Sequence, residues 1–259
     1  MTFSDDADTK VDPRIERAIK MLDSGRHSKA LKQLDKLRAE QPELEPDILC
    51  ALAASSNRRL EYEKGLAAAQ SCAAQATSTR TIGQARVELL VATVATGEQG
   101  EELATRLGAV REFLAGRRDD ELTDAIRVQL CFARELLPDS HPSSLAKAAL
   151  PAGQIRFLPI NDPSKGLHSV KPVLIRERLV NQEFKGVARL SGRIQAGFDS
   201  TIDADGCFAA ARLSDASHEI FEGPALKAVR GWVYRPPRLN GKAVAMHFRA
   251  LVFMEVVHR

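Results

Sequence analysis

No apolar run in the 259 residues approaches the roughly 18 positions that a bilayer-spanning helix requires, so no membrane span is expected in this chain. Cysteine is scarce. Cys50, Cys72, Cys131 and Cys207 are too few for a disulfide scaffold in so long a chain, and none stands in a CxxC metal or redox pair. They read as small core residues. An excess of one charge is lacking as well, with 37 basic against 34 acidic residues, so charge alone does not point to nucleic acid. The opening Met1-Thr-Phe-Ser-Asp-Asp-Ala-Asp is acidic where a signal peptide carries a basic segment and an apolar core. Either the chain is cytoplasmic or an export segment stands outside it. The nucleophile elbow, the HExxH zinc motif, the P-loop and the dinucleotide fingerprint are all missing. No catalytic residue and no cofactor is therefore expected, and the chain reads as a non-enzyme.

What is present divides near residue 150. Residues 154–259 hold 16 basic and 10 acidic side chains, leaving 21 and 24 for residues 1–153. From Pro13 to Leu137 the pattern is helical, rich in Ala, Leu, Glu, Lys and Arg with apolar residues three and four apart. Asp12-Pro13 makes a helix start, a capping residue before a proline at the first helical position. Ile15, Ala18, Ile19 and Leu22 form one stripe that ends at Ser24-Gly25, and Ala30, Leu31, Leu34 and Leu37 form a second that stops at Gln41-Pro42. Two antiparallel helices with a short turn follow.

That hairpin recurs. Ala18, Ala30, Leu34, Leu37 and Pro42 correspond, 35 residues on, to Ala53, Gly65, Ala69, Cys72 and Thr77. The spacing and the Gly25…Ala30…Pro42 set resemble the tetratricopeptide repeat, which stacks helical hairpins and commonly binds peptide segments on a concave face. A third unit is read around Thr96-Gly-Glu-Gln-Gly100, and a last helix over 121–137. If α-helices in the second hairpin turn near Asn57-Arg58-Arg59, Cys50 and Cys72 are offset by about five residues, roughly 7 Å of helix rise, and are expected not to be bridged.

After Gln154 the period changes to two. Leu190, Gly192, Ile194, Ala196, Phe198, Ser200 and Ile202 alternate with Ser191, Arg193, Gln195, Gly197, Asp199 and Thr201, the pattern of a long half-buried strand. Asp203-Ala-Asp-Gly206 is a tight turn, and residues 207–213 resume extended structure as the second arm of a hairpin. Residues 219–229 carry Ile220, Phe221, Ala225, Leu226, Ala228 and Val229 at helical spacing. Gly231, Pro236, Pro237 and Gly241 punctuate a loop, and residues 243–257 alternate again as one terminal strand. The fold class is α+β: an all-α helical-hairpin domain followed by a small α+β unit.

Several of these residues occur in a recognisable order. Ile202-Asp-Ala-Asp-Gly206, then Phe221…Ala225-Leu226…Ala228, then Trp232-Val-Tyr234-Arg-Pro236…Asn240-Gly241-Lys-Ala-Val244 and a closing Phe253 resemble the C-terminal domain of the TonB family. Asp203, Gly206, Trp232, Tyr234, Pro236 and Gly241 are its structural positions. The resemblance implies a periplasmic, non-enzymatic interaction module that binds an extended segment of an envelope or outer-membrane transport partner along a sheet edge. The terminal strand is the expected edge, with Val244, Met246, Phe248, Arg249, Leu251 and Phe253 as partner-binding residues, or a place for two copies to pair. The alternative is a cytoplasmic adaptor in which both domains are scaffold. Domains are expected at 1–12 (disordered), 13–137 (tetratricopeptide-like), 138–153 (linker) and 154–259 (TonB-C-like).

Two sharper readings compete with bland ones. Asp199, Asp203 and Asp205 suggest calcium, but the later ligands of a calcium loop are missing and a solvated turn is favoured, so no metal is expected. Trp232 and Tyr234, flanked by Arg230, Arg235 and Arg238, suggest stacking on single-stranded nucleic acid, against which stands a core role for the two rings. The core role is the one expected, and with it no nucleic-acid partner.

Overall fold

The computed structural model describes residues 11–115, 117, 119–137, 173–176, 192–239 and 242–256. Contacts divide the chain into two compact units, Met1–Leu136 and Leu137–Arg259. The expected disordered start, apart from residues 11 and 12, and the expected linker lie outside the described residues.

Among the described residues the first unit holds seven α-helices: α1 Pro13–Asp23, α2 His27–Glu40, α3 Glu45–Arg58, α4 Tyr62–Gln75, α5 Thr79–Ala95, α6 Glu101–Ala115 and α7 Glu121–Leu136, with a 3-10 turn over Pro42–Leu44. Local chemistry sets their ends. The Asp12 carboxylate accepts the Arg14 amide at 2.8 Å in front of Pro13, and Gly25 turns the chain out of α1 at φ +80°. Ile15, Ala18, Met21 and Leu22 face Ala30, Leu34, Leu37 and Ile48 in one buried cluster. Of the stripes read from the sequence, Ile15, Ala18, Leu22, Ala30, Leu34 and Leu37 pack in this cluster, while Ile19 is only partly buried and Leu31 is exposed.

The second hairpin is tighter. A Cβ placed on Gly65 of α4 would lie 2.0 Å from Asn57 Oδ1 of α3, and Ala53 and Ala69 are fully buried, so only small residues allow these helices to meet. Cys50 and Cys72 are joined there in a disulfide, with Cα atoms 5.3 Å apart. This corrects the expectation that they are unbridged. The turn lies at residues 59–61, so Cys50 stands eight residues before the end of α3 and Cys72 ten after the start of α4. The offset is two residues, about 3 Å of rise, within disulfide reach. Alkylation without reductant is expected to leave both cysteines unlabelled, and peptide mass spectrometry to find them linked; recovery of both as labelled thiols would refute the bridge.

Helix α5 is buried nearly all round, from Thr81 and Gly83 through Val94. A Cβ on Gly83 would fall 2.5 Å from the Phe113 ring and 2.6 Å from Ile126. Such a helix shows no amphipathic stripe because none of its residues is fully exposed.

The second unit contains β1 Val173–Arg176, β2 Gly192–Ile202, β3 Phe208–Ala216, α8 Glu222–Arg230, β4 Val233–Arg235, β5 Arg238–Leu239, β6 Lys242–Ala243 and β7 Met246–Val256, with a 3-10 turn over Glu219–Phe221. Three strands form one antiparallel sheet in the order β3-β2-β7, while β1 pairs with β4 and β5 with β6. Ile194, Ala196, Phe198 and Ile202 of β2 are buried together with Phe208, Phe221, Ala225, Val229, Trp232, Tyr234, Met246, Ala250 and Val252. The α-helix thus covers one face of the sheet. The stretch that composition marks as a loop holds three very short strands, and the terminal strand expected over 243–257 is broken: Lys242–Ala243 belongs to β6 and β7 begins at Met246.

Candidate partner-binding edge

The β2–β3 turn anchors the sheet. Asp203 Oδ1 accepts the amides of Asp205 and Cys207, each at 3.0 Å, and the Gly206 amide donates to the Asp203 carbonyl at 3.0 Å. Gly206 has φ +89°, and a Cβ there would sit 2.0 Å from the Tyr234 carbonyl oxygen and 3.2 Å from Pro236 Cδ. The Tyr234 amide donates to the Gly206 carbonyl at 2.9 Å. Two separate demands, a left-handed backbone and a passing strand, therefore require glycine at 206. With one Asp203 oxygen committed to backbone amides, the Asp-x-Asp-Gly segment is a structured turn, and among the described residues no three His, Cys, Asp or Glu side chains come together as a metal site needs.

Trp232 and Tyr234 are buried, 6% and 4% exposed, with ring centroids 6.4 Å apart; Tyr234 stands edge-on to Phe248 at 5.1 Å. Rings enclosed on this scale offer no platform for stacking bases. Pro236 is buried beside them. Gly241 lies outside the described residues.

The two outer strands differ. β7 pairs with β2 from Gly192↔Val256 to Ile202↔Met246, eleven pairs with no register shift. β3 pairs with the other side of β2 through two irregularities, at Gly197/Phe198 and Thr201/Ile202. Bulges of this kind twist an edge and spoil it as a template. The far side of β7 faces no other strand among the described residues.

Along β7 the side chains alternate. Met246, Ala250 and Val252 are buried, and Phe248 is half-buried against the same core, so Met246 and Phe248 support the strand from its helix side instead of presenting themselves to a partner. Arg249, Leu251 and Phe253 lie on the opposite face, the last two each 43% exposed. Val244 is not in β7; its amide donates to the Pro237 carbonyl at 2.9 Å and so is not available to an added strand.

Three side-chain pairings on the outer face escaped the sequence reading. Arg249 Nη2 reaches over β2 to Asp215 Oδ1 of β3 at 2.5 Å, passing above Gly197, where a Cβ would lie 2.2 Å from that oxygen. The Arg249 guanidinium, helped by the Ser214 hydroxyl, holds the Asp215 carboxyl below its ordinary pKa. Beside this strap Arg212 pairs with Asp199 at 3.2 Å, and Thr201 Oγ1 and His247 Nδ1 are 2.6 Å apart. A glycine in the middle of a long alternating strand was the available signal for the close approach.

Residues 188–253 match the family model described as Gram-negative bacterial TonB protein C-terminal. The matched span runs from just before β2 to within β7 and contains the whole of the three-stranded sheet except the last residues of β7. The matched family is one of protein-interaction domains of the cell envelope. No curated protein and no solved structure matched the chain. Among the described residues no helix is long and apolar enough to cross a membrane.

Proposed function

We propose that this chain is a periplasmic interaction protein whose TonB-like unit binds an extended segment of an envelope or outer-membrane transport partner by strand addition along β7. The observation that carries this reading is the unbroken eleven-residue register of β7, set against a bulged β3 on the opposite rim. Main-chain groups of a regular edge supply affinity, and side chains at alternate positions supply specificity. The helical hairpins of the first unit are a second interaction surface, in keeping with their resemblance to tetratricopeptide repeats. The Cys50–Cys72 disulfide supports an oxidising compartment over the cytoplasm.

The test is titration of the isotope-labelled protein with extended peptides from outer-membrane transport proteins. Amide shifts are expected along β7 and at most weakly along β3. Proline placed successively from His247 to Phe253 should alternate in effect. Where the lost N–H points outward only binding weakens; where it points to β2 the sheet itself is destabilised. Shifts confined to α1–α7 would move the binding role to the first unit and overturn this assignment.

A further inference from the structure

The hairpins α1–α2, α3–α4 and α5–α6 close on the same turn. In the first, the Gly25 amide donates to the Leu22 carbonyl at 3.0 Å and the Arg26 amide to the Met21 carbonyl at 2.9 Å. In the second, the Leu60 and Glu61 amides donate to the Asn57 and Ser56 carbonyls at 3.1 and 2.9 Å. In the third, the Gly97 and Glu98 amides donate to the Val94 and Thr93 carbonyls at 3.1 and 3.2 Å. The residue at the bend is left-handed each time, with φ +80°, +63° and +82°. Glycine fills the first and third bends. Leucine fills the second, where its Cβ is a steric cost, and its side chain is 68% exposed, the most of any large apolar side chain among the described residues.

The surroundings are basic. Arg59 Nη1 lies 3.1 Å from His27 Nδ1, which brings this bend to the start of α2, and Leu31, one turn beyond His27, is 45% exposed. Residues 23–32 and 58–64 hold six basic and three acidic side chains, although residues 1–153 as a whole hold 21 and 24. Asp23 is held by Arg58 at 2.8 Å, and Glu61 by Arg59 and Lys64. Arg26, Lys29 and Lys32 are exposed and enter no ion pair among the described residues.

We propose that this end of the helical unit is a peripheral contact for an anionic lipid surface. Leu60 and Leu31 enter the boundary between headgroups and acyl chains, and Arg26, Lys29 and Lys32 meet the lipid phosphates. Aliphatic side chains beside lysine and arginine are the composition of interfacial membrane segments, whereas protein hot spots favour tryptophan and tyrosine over leucine. The cost of a left-handed leucine in the free protein is offset when that side chain leaves water. This contact is independent of strand addition at β7 and uses no residue of 188–253.

The experiment is flotation of the full chain with vesicles of phosphatidylglycerol and phosphatidylcholine in equal parts, and with vesicles of phosphatidylcholine alone. Binding to the mixed vesicles is expected to be about tenfold tighter or more, and to weaken in high salt as the surface charges are screened. Lys29→Gln and Lys32→Gln should each weaken it about fivefold. Leu60→Gly should raise the thermal midpoint of the helical unit by about 2 °C, since glycine suits the bend, and yet weaken vesicle binding about tenfold. A gain in stability with a loss of binding is what a merely structural leucine cannot give. Leu60→Asn, polar and tolerant of this backbone conformation, should weaken binding equally, and circular dichroism checks the fold of each variant. Failure to bind mixed vesicles, equal binding to both vesicle types, or a lower midpoint for Leu60→Gly would each overturn the proposal. Unchanged vesicle binding by Leu60→Gly would overturn it too, and would leave the exposed leucine to a protein partner.

Discussion

Replacing Trp232 with alanine is expected to destabilise the C-terminal unit by about 3–5 kcal/mol, the range for deleting a large buried aromatic. Trp232 follows directly on α8, its amide donating to the Val229 carbonyl at 3.0 Å, and only 6% of it is exposed. Its ring begins a chain of edge-on contacts through Tyr234 and Phe248 to Phe208, so its removal opens a cavity where helix and sheet meet. Unfolding by denaturant, followed by circular dichroism, measures the loss. It is the only tryptophan in the sequence, so native emission should be that of a buried indole and should move to longer wavelength on unfolding. Solvent-like emission from the folded protein, or a loss below about 1 kcal/mol, would remove Trp232 from this role.

Stability of the helical unit is expected to fall as pH rises from about 4.5 to about 7, because of one carboxyl. Glu88 on α5 is 3% exposed, and burial pushes its pKa from 4.5 to about 7 against the opposing effects of a hydrogen bond from Asn57 and the nearby Arg58 charge. Asn57 Nδ2 donates to Glu88 Oε2 at 2.8 Å and to the Glu88 carbonyl at 3.1 Å, while the buried Asn57 Oδ1 finds no donor among the described residues. The folded state keeps a proton that the unfolded chain has released. The stabilisation linked to that proton is therefore complete below the unfolded pKa of 4.5 and is lost as pH passes through the folded value near 7. A shift of this size amounts to about 3 kcal/mol. Glu88→Gln should remove the dependence, leaving a variant close to the natural protein at pH 5 and more stable by up to about 3 kcal/mol at pH 8. Parallel denaturant curves at the two pH values decide it, and an unchanged pH dependence would show that Glu88 is not its source.

The amphipathic elements were legible before any coordinates. α1 and α2 declare themselves because one face of each meets solvent, which writes the helical period into Ile15, Ala18, Leu22, Leu34 and Leu37. β2 does so through the alternation of Ile194, Ala196, Phe198 and Ile202 with polar neighbours. The turn at Asp203 and Gly206 was legible because a side-chain acceptor and a left-handed backbone each call for a particular residue type. By contrast β1, β4, β5 and β6 were missed. Strands of two to four residues are too short to show a period, and Pro236-Pro237 marks their neighbourhood as irregular. Of the expected edge residues, Arg249, Leu251 and Phe253 occupy the outer face, while Met246 and Phe248 turn inward and Val244 precedes the strand. Choosing between faces required knowing on which side α8 packs.

By itself, then, the sequence determined the α+β class, the helices of the first hairpin, the β2–β3 hairpin and the likeness of residues 188–253 to the TonB C-terminal domain, because these depend on local periodicity and on residues that few conformations tolerate. Only tertiary structure decided that Cys50 and Cys72 meet, since a single residue's shift in a turn changes the offset of facing helices by about 3 Å. It alone set Glu88 beside Asn57, 31 residues away, and carried Arg249 across Gly197 to Asp215. It alone distinguished the unbroken rim of β7 from the bulged rim of β3. A bulge is a relation between two strands, and a buried charge a relation between helices, so neither leaves a period in the chain that could be read in advance.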